Sequence, residues 1–429
     1  MAPDPGLDAA YATGRGYRGT GVRFSDCEYG WNAAHEDLNA IDLHLEPGQT
    51  IDPGVFAYGW DEHGTAAAGV SNGTDNGYGI TGFAGGATVW TYPEWTVEEG
   101  FRRVTCIAHA IADSAAGDVV LLEMQDVGAG GGYGPAELDP SVFAVVKAGT
   151  DAGVVVVAAA GNGDQDLDSA AYAAYRALGD SGAILIGAGS ATTSHDKLSF
   201  STYGSRVNVQ AWGESVFTLG YGYYAAYGGD KNQRYTASFN GTSSASSLAG
   251  PAAAVLQEAA AATLGAPLAP LALRGLLIDT GIPQGAGGHI GPCIDLRAAI
   301  ERIDVMASAT VRNGTGTNPA FYSSTSLPVL ATTWTAEVDG SGHPGAGATA
   351  IVGYSAPLAP TPSAFGEILV DVAAPFLFAS WAPSGGGIAS HANLVPGDPA
   401  FVAFRAYTQA VVFGAAPELG NAIDLRLGY

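Results

Sequence analysis

The chain has 429 residues, of which 47% are hydrophobic and 14% charged, with 62 glycines and three cysteines. That apolar content excludes wholesale disorder, the aperiodic glycines exclude a collagen-like chain, and the scarcity of charge excludes a coiled coil. With 17 basic against 41 acidic residues the net charge is −24, which repels phosphate backbones and argues against nucleic acid as a partner; no apolar run reaches the roughly 18 residues of a membrane span.

In chain order, the first 300 residues alternate short β-branched runs with small-residue helical stretches. GVRFSD (21–26), ATVWTY (87–92), DVVLLEM (118–124), GVVVVAAAG (153–161) and AILIGAG (183–189) read as strands. Helical patterns fall at 104–117 and 143–152 and in the long Ala-rich run 243–264. Strands alternating with helices predict an α/β fold, a parallel sheet covered on both faces. After residue 303 the helical pattern vanishes. Short strands between Gly, Pro, Ser and Thr turns follow at 327–338, 367–373, 400–413 and 423–429, which predicts an all-β sandwich domain over 304–429 beside a first domain over 1–303.

A parallel sheet places its chemistry at the carboxyl ends of its strands. Asp26 closes the apolar run 21–26. His63 opens the Ala/Gly-rich run HGTAAAG. Ser243 lies where a Gly-Thr turn meets the long helix, so free N–H groups and the positive end of the helix dipole face its hydroxyl. Each residue alone has a bland reading, as strand-end cap, structural imidazole and helix N-cap. Together they have the parts nucleophilic catalysis requires: a hydroxyl, an imidazole to take its proton, and a carboxylate to fix the imidazole. Asn162, set between glycines after the run VVVVAAAG, suits an oxyanion donor.

These segments resemble the subtilases, the subtilisin-like serine peptidases, over roughly residues 15–300: SDCEYGWNAAHEDL resembles the family's Asp segment with its trailing H-x-D-L, HGTAAAG its H-G-T-H-V-A-G, AAAGNGD its A-A-G-N, and NGTSSAS its N-G-T-S-M-A-S. The resemblance implies a subtilisin-like sheet sandwiched by helices, with Asp26 as orienter, His63 as general base then acid, Ser243 as nucleophile and Asn162 as oxyanion donor. It implies a serine endopeptidase acting on protein or peptide through an acyl-enzyme. Two rivals keep the same motifs: a catalytically silent binding protein, and an esterase or amidase. The first residues, MAPDPGLDAAY, show no basic or apolar signal region, so a cytoplasmic protein or a mature form whose signal has been removed is expected; the resemblance of the C-terminal segments to modules of secreted bacterial proteins favours the secreted form, and the family pattern implies that an inhibitory segment has been removed. Two positions depart from the family: Ala66 stands where a second His is usual, and Ser247 where a Pro is usual, with Pro251 four residues on. GVSNG (69–73) and GDSG (179–182) imitate other nucleophile motifs without their structural context.

By the same resemblance, the strand ahead of Asn162 lines the pocket for the substrate side chain. Glu123, Gln125 and Asp126 then fall on one wall, and Gly161 and Asp164 on the other. A carboxylate there would favour a basic side chain, because an unpaired buried charge is costly. The chemistry requires no cofactor. Structural calcium is an expectation, with Asp164, Asp166 and Asp168 as a D-x-D-x-D candidate lacking the full EF-hand loop. Cys27 and Cys106 flank the same sheet and allow one bridge, leaving Cys293 over. The tyrosine-rich stretch ahead of the nucleophile (Tyr221, Tyr223, Tyr224, Tyr227) reads as a cleft lining or as rigid loop packing. The C-terminal module resembles β-sandwich modules of secreted bacterial proteins and carries no triad or metal cluster of its own.

Overall fold

The computed structural model describes residues 6–343 and 345–429. The chain forms two compact units: one runs through residue 261 and takes in 267–300, and the other holds 262–266 and 301–429.

The first unit is built on a seven-stranded sheet whose strands are β1 Arg23–Glu28, β2 Asp42–Leu43, β3 Thr88–Pro93, β4 Val119–Leu122, β5 Val155–Ala159, β6 Ile184–Gly189 and β7 Val209–Trp212. Their spatial order is β7-β6-β5-β4-β1-β3-β2, and every seam is parallel. β4 and β5 are buried at every position, which is why they read as unbroken apolar runs. The helices α1 Asp61–Asn72, α2 Arg103–Ala112, α3 Pro140–Asp151 and α4 Gly241–Leu264 accompany the sheet. One layer of the core joins Cys27, Val120, Leu122, Val156 and Leu185 of the sheet to Ile107 and Ala110 of α2 and to Val142 and Val146 of α3.

Two local features place the site. β1 continues two residues past the apolar run, so Asp26 sits inside the strand, opposite Thr91 and Leu121, and the last residue at the carboxyl edge is Glu28, opposite Pro93. The α4 helix is buried from Gly241 to Gln257 and lies close on the sheet; a Cβ on Gly250 would stand 3.0 Å from the Phe24 ring and 3.3 Å from Leu121. Small side chains therefore carry this helix, and it runs unbroken through Pro251. That proline has no N–H for the Ser247 carbonyl one turn back. An antiparallel hairpin, β8 Val216–Leu219 with β9 Arg234–Phe239, delivers the chain into α4.

The second unit is antiparallel. Its five-stranded sheet takes Ser308–Arg312, Pro417–Arg426, Arg405–Phe413, Ala348–Tyr354 and Phe376–Pro383 in that order; a three-stranded sheet joins Tyr322–Ser324, Thr333–Asp339 and Ile388–Leu394. Trp334, Ala336 and Val338 alternate inward from the smaller sheet and meet Ile351, Ala410, Val412 and Ile423 of the larger in one core.

Candidate active site

The site is assembled at the carboxyl edge of β1, β4 and β5. His63 stands in the first turn of α1. The two residues after it explain why the segment reads H-G-T. A Cβ on Gly64 would fall 2.4 Å from the Gly30 carbonyl oxygen and 3.1 Å from the Trp31 ring, so only glycine lets α1 approach the turn that follows β1. The Thr65 hydroxyl donates to the Asp61 carbonyl at 2.6 Å and accepts from the Asn32 backbone N–H at 2.8 Å, which pins the same turn.

That turn carries Glu28 to the imidazole. His63 Nδ1 donates to Glu28 Oε1, and Glu28 Oε2 accepts from the Tyr29 backbone N–H at 2.9 Å. Burial works to raise Glu28, but the His63 charge and hydrogen bond, with the Tyr29 N–H, hold its carboxyl below the usual range. Burial likewise works against the imidazolium, and the Glu28 charge and hydrogen bond outweigh it, so His63 is held above the usual histidine range. The ring is set edge-on against Phe239, centroids 5.5 Å apart, and its side chain remains 30% exposed.

Asp26 is not at the imidazole, which corrects the expectation that it orients His63. It is buried inside β1, where Oδ2 accepts from Trp31 Nε1 at 2.8 Å. Burial first, and the Glu28 charge second, push it up to about 7. A strand interior hands its side chain to the layer beneath, and only the terminal residue reaches the edge.

Ser243 lies at the start of α4, 7% exposed. With His63, Gln125, Asn162, Tyr221, Tyr223 and Phe239 it lines a cavity of about 450 Å³. Among the described residues the Ser243 hydroxyl makes no hydrogen bond to His63; the two share the walls of this cavity and of an adjoining one of about 420 Å³. Asn162 follows β5, and its amide orientation is set from α4: Oδ1 accepts from the Thr242 backbone N–H at 2.8 Å and from the Thr242 hydroxyl at 3.0 Å. The Thr242 hydroxyl in turn accepts from the Gly161 N–H at 3.1 Å. This leaves the Nδ2 donors of Asn162 for the cavity. Gly241, at φ 94°, allows the tight approach; its Cβ would lie 3.1 Å from Asn162 Nδ2.

The residues expected to read the substrate side chain divide. Gln125 lines both cavities, and its Oε1 accepts from the Asn162 backbone N–H at 2.9 Å. Gly161 is buried and lies against Gly134. Asp126 turns to its own chain, accepting from the Val127 N–H at 2.7 Å. Asp164 is paired with Lys197 at 2.8 Å. Glu123 is 3% exposed and set against Ser247, Asp26 and Glu28; burial, then the charges of Asp26 and Glu28, raise it well above the usual carboxyl range. With Glu123 buried among the acids that raise it, Asp126 turned to its own chain and Asp164 paired with Lys197, the basis for a basic side-chain preference is removed.

Asp164, Asp166 and Asp168 do not converge either. Asp164 holds Lys197, Asp166 accepts from the Asp168 N–H at 2.9 Å, and Asp168 accepts from the Ser205 N–H at 2.8 Å and its hydroxyl at 2.6 Å. The one group of potential metal ligands that does converge among the described residues is Glu28, His63 and Glu123, with ligand atoms within 4.8 Å of one another. There the imidazole and Glu28 already satisfy each other. Cys27, Cys106 and Cys293 are free and buried, so the Cys27–Cys106 bridge is not formed. Tyr221 is anchored over the site by Glu62, whose Oε2 accepts the Tyr221 N–H at 2.7 Å, and it stacks with Tyr223 at 5.6 Å.

The sequence alone did not single out Glu28. The signal for Glu28 was the period of two: it shares a strand face with Asp26 and is the last residue before the Tyr29-Gly30 break.

Comparison with curated proteins finds no match. A solved protease from Pseudoalteromonas arctica PAMC 21717 is similar at 20% identity and a TM-score of 0.49, over 69% of this chain and 93% of that one, a likeness too slight to bear on the fold. The subtilase family model, peptidase S8, matches residues 33–317, a span that holds His63, Asn162 and Ser243 and begins after β1. The chain belongs to the subtilase family of serine-type peptidases.

Proposed function

We propose that the protein is a serine endopeptidase working through Ser243, His63 and Glu28. His63 Nε2 takes the Ser243 proton as Oγ attacks the substrate carbonyl; the imidazolium then protonates the leaving amine, and water releases the acyl-enzyme by the same route. Glu28 fixes the tautomer by accepting from Nδ1 and offsets the charge the ring acquires. The Nδ2 donors of Asn162 and the Ser243 backbone N–H meet the developing oxyanion.

The observation that supports this reading above others is that His63, locked by a buried carboxylate, shares one cavity with Ser243 and Asn162. Incubation with unlabelled protein, peptide-library and ester substrates tests it, with Ser243→Ala as control. Internal cleavage of peptides that disappears in Ser243→Ala supports an endopeptidase. Turnover of esters alone, or cleavage that survives the substitution, overturns it.

A further inference from the structure

Beneath the imidazole three carboxyls are packed together. Asp26 and Glu28 come from β1, and Glu123 follows β4, all at most 3% exposed. Ordinary donors reach only part of them. Glu28 accepts from His63 and Tyr29, and Asp26 Oδ2 from Trp31. Asp26 Oδ1 and Glu123 Oε2 are buried and have no N–H or hydroxyl partner among the described residues. The Ser247 hydroxyl meets Glu123 Oε1, but it also lies 2.7 Å from the Ser243 carbonyl, and it has one proton for the two. A buried acceptor without a donor is costly, and adjacent buried carboxylates repel. One proton on Glu123, given to a neighbouring β1 carboxyl, supplies a donor to a buried acceptor and removes one of the adjacent negative charges.

We propose that Glu123 is a positioning residue of this site. Held as a neutral acid, it donates its one proton to a neighbouring β1 carboxyl, beside the Glu28 that holds His63, and it is anchored through Ser247 to α4 one turn beyond Ser243. The inference rests on the reading of Ser243, His63 and Glu28 given above, and it ties the orienting carboxylate to the helix that carries the nucleophile. Ser247, where the resemblance leads one to expect proline, is what makes the tie: its hydroxyl bridges Glu123 and the main chain of Ser243. The groups facing Glu123 are Asp26 and Glu28 from β1, His63 from α1 and Tyr221 from the loop after β8, with Glu94 and Arg103 lining the same cavity.

The test compares Glu123→Gln, Glu123→Ala and Ser247→Ala with the intact chain. Glutamine keeps a donor for the β1 carboxyls and an acceptor for Ser247, but cannot ionise. We expect Glu123→Gln to hold kcat within about tenfold and to extend the alkaline limb of the kcat/KM profile, while Glu123→Ala loses roughly 10- to 100-fold in kcat with little change in KM, the loss of one buried hydrogen-bond partner. Ser247→Ala falls between. A Glu123→Ala enzyme with the wild-type kcat and profile, or a Glu123→Gln enzyme as impaired as Glu123→Ala with melting temperature preserved, overturns the proposal. A readout independent of turnover separates this from the peptidase reading. The infrared carbonyl band of a neutral carboxylic acid at pH 7 should weaken in Glu123→Gln relative to wild type, whether or not the protein cleaves peptides; an unchanged band shows Glu123 ionised and overturns the proposal.

Discussion

The assignment of Glu28 over Asp26 is open to direct test by paired substitutions, Glu28→Gln and Asp26→Asn. Glutamine keeps the volume of Glu28 but removes the charge and presents either an oxygen or an amide N–H to His63 Nδ1. With the opposite charges ~4 Å apart and an effective dielectric constant of about 20, the lost attraction to the imidazolium is about 4 kcal/mol, or nearly 10³ in rate. The fraction of rings held in the wrong tautomer adds to this, so a fall in kcat of about 10³–10⁴ is expected, near the roughly 10⁴-fold or slightly greater loss seen when other serine peptidases lose this carboxylate. Asp26, pushed up to about 7 and hydrogen-bonded to Trp31, is close to the neutral amide that replaces it, so Asp26→Asn should cost at most about tenfold. The assay is kcat and kcat/KM on one peptide substrate across pH. Because Glu28 raises His63, the acid limb of wild-type kcat/KM should lie above the ordinary histidine value of 6.5, and should move to lower pH in Glu28→Gln as far as residual activity allows. A large loss in Asp26→Asn with a mild effect in Glu28→Gln would refute the reasoning.

Removing the Asn162 amide by Asn162→Ala should lower kcat about 10²–10³-fold with KM little changed, the figure measured for the corresponding donor in subtilisin; a change confined to KM would place Asn162 in ground-state binding instead. Stability should be greater at mildly acidic pH than above neutrality. Asp26 and Glu94 are both pushed up to about 7, chiefly by burial, from 3.8 and 4.5, so the fold holds more protons than the unfolded chain across that window and loses stability as pH rises through it. His63, also raised, adds the same sign at higher pH, and Glu28, lowered, acts oppositely only as pH falls below 4.5. Melting temperatures at pH 5 and pH 7.5 check this, and Asp26→Asn should flatten the slope; a higher value at pH 7.5 contradicts it. Thiol titration should find Cys27, Cys106 and Cys293 unreactive in the native protein and three thiols after unfolding; one thiol after unfolding would reveal a bridge.

The sheet was legible because its central strands are covered on both faces, which forces unbroken apolar runs such as 155–159, and α4 was legible because the stretch 241–257, buried throughout and close on the sheet, is dominated by small residues. His63, Asn162 and Ser243 were legible because each sits beside a residue the backbone needs: Gly64 for the approach to Gly30, Gly161 and Gly241 for the turns that bring Asn162 and α4 together. β1 misled because its apolar run stops two residues before its hydrogen bonds do. Two acids of one face then compete for one role, and nothing in composition says which lies at the edge. Glu123 misled for a related reason: a carboxyl following a strand looks available to a ligand until its neighbours, two acids and a serine from distant segments, are brought beside it. In the second unit, strands such as Phe376–Pro383 and Ile388–Leu394 went unread because outward-facing apolar residues blur their alternation.

Activation of the Ser243 hydroxyl by an imidazole locked to Glu28 is tested by mass-spectrometric mapping of a fluorophosphonate adduct on the native chain and on the Glu28→Gln variant. A single adduct on Ser243, formed in step with loss of peptide cleavage and slowed by orders of magnitude in the variant, is the expected result. A native chain that takes up no label on Ser243, or a variant that labels as fast as the native chain, would contradict it.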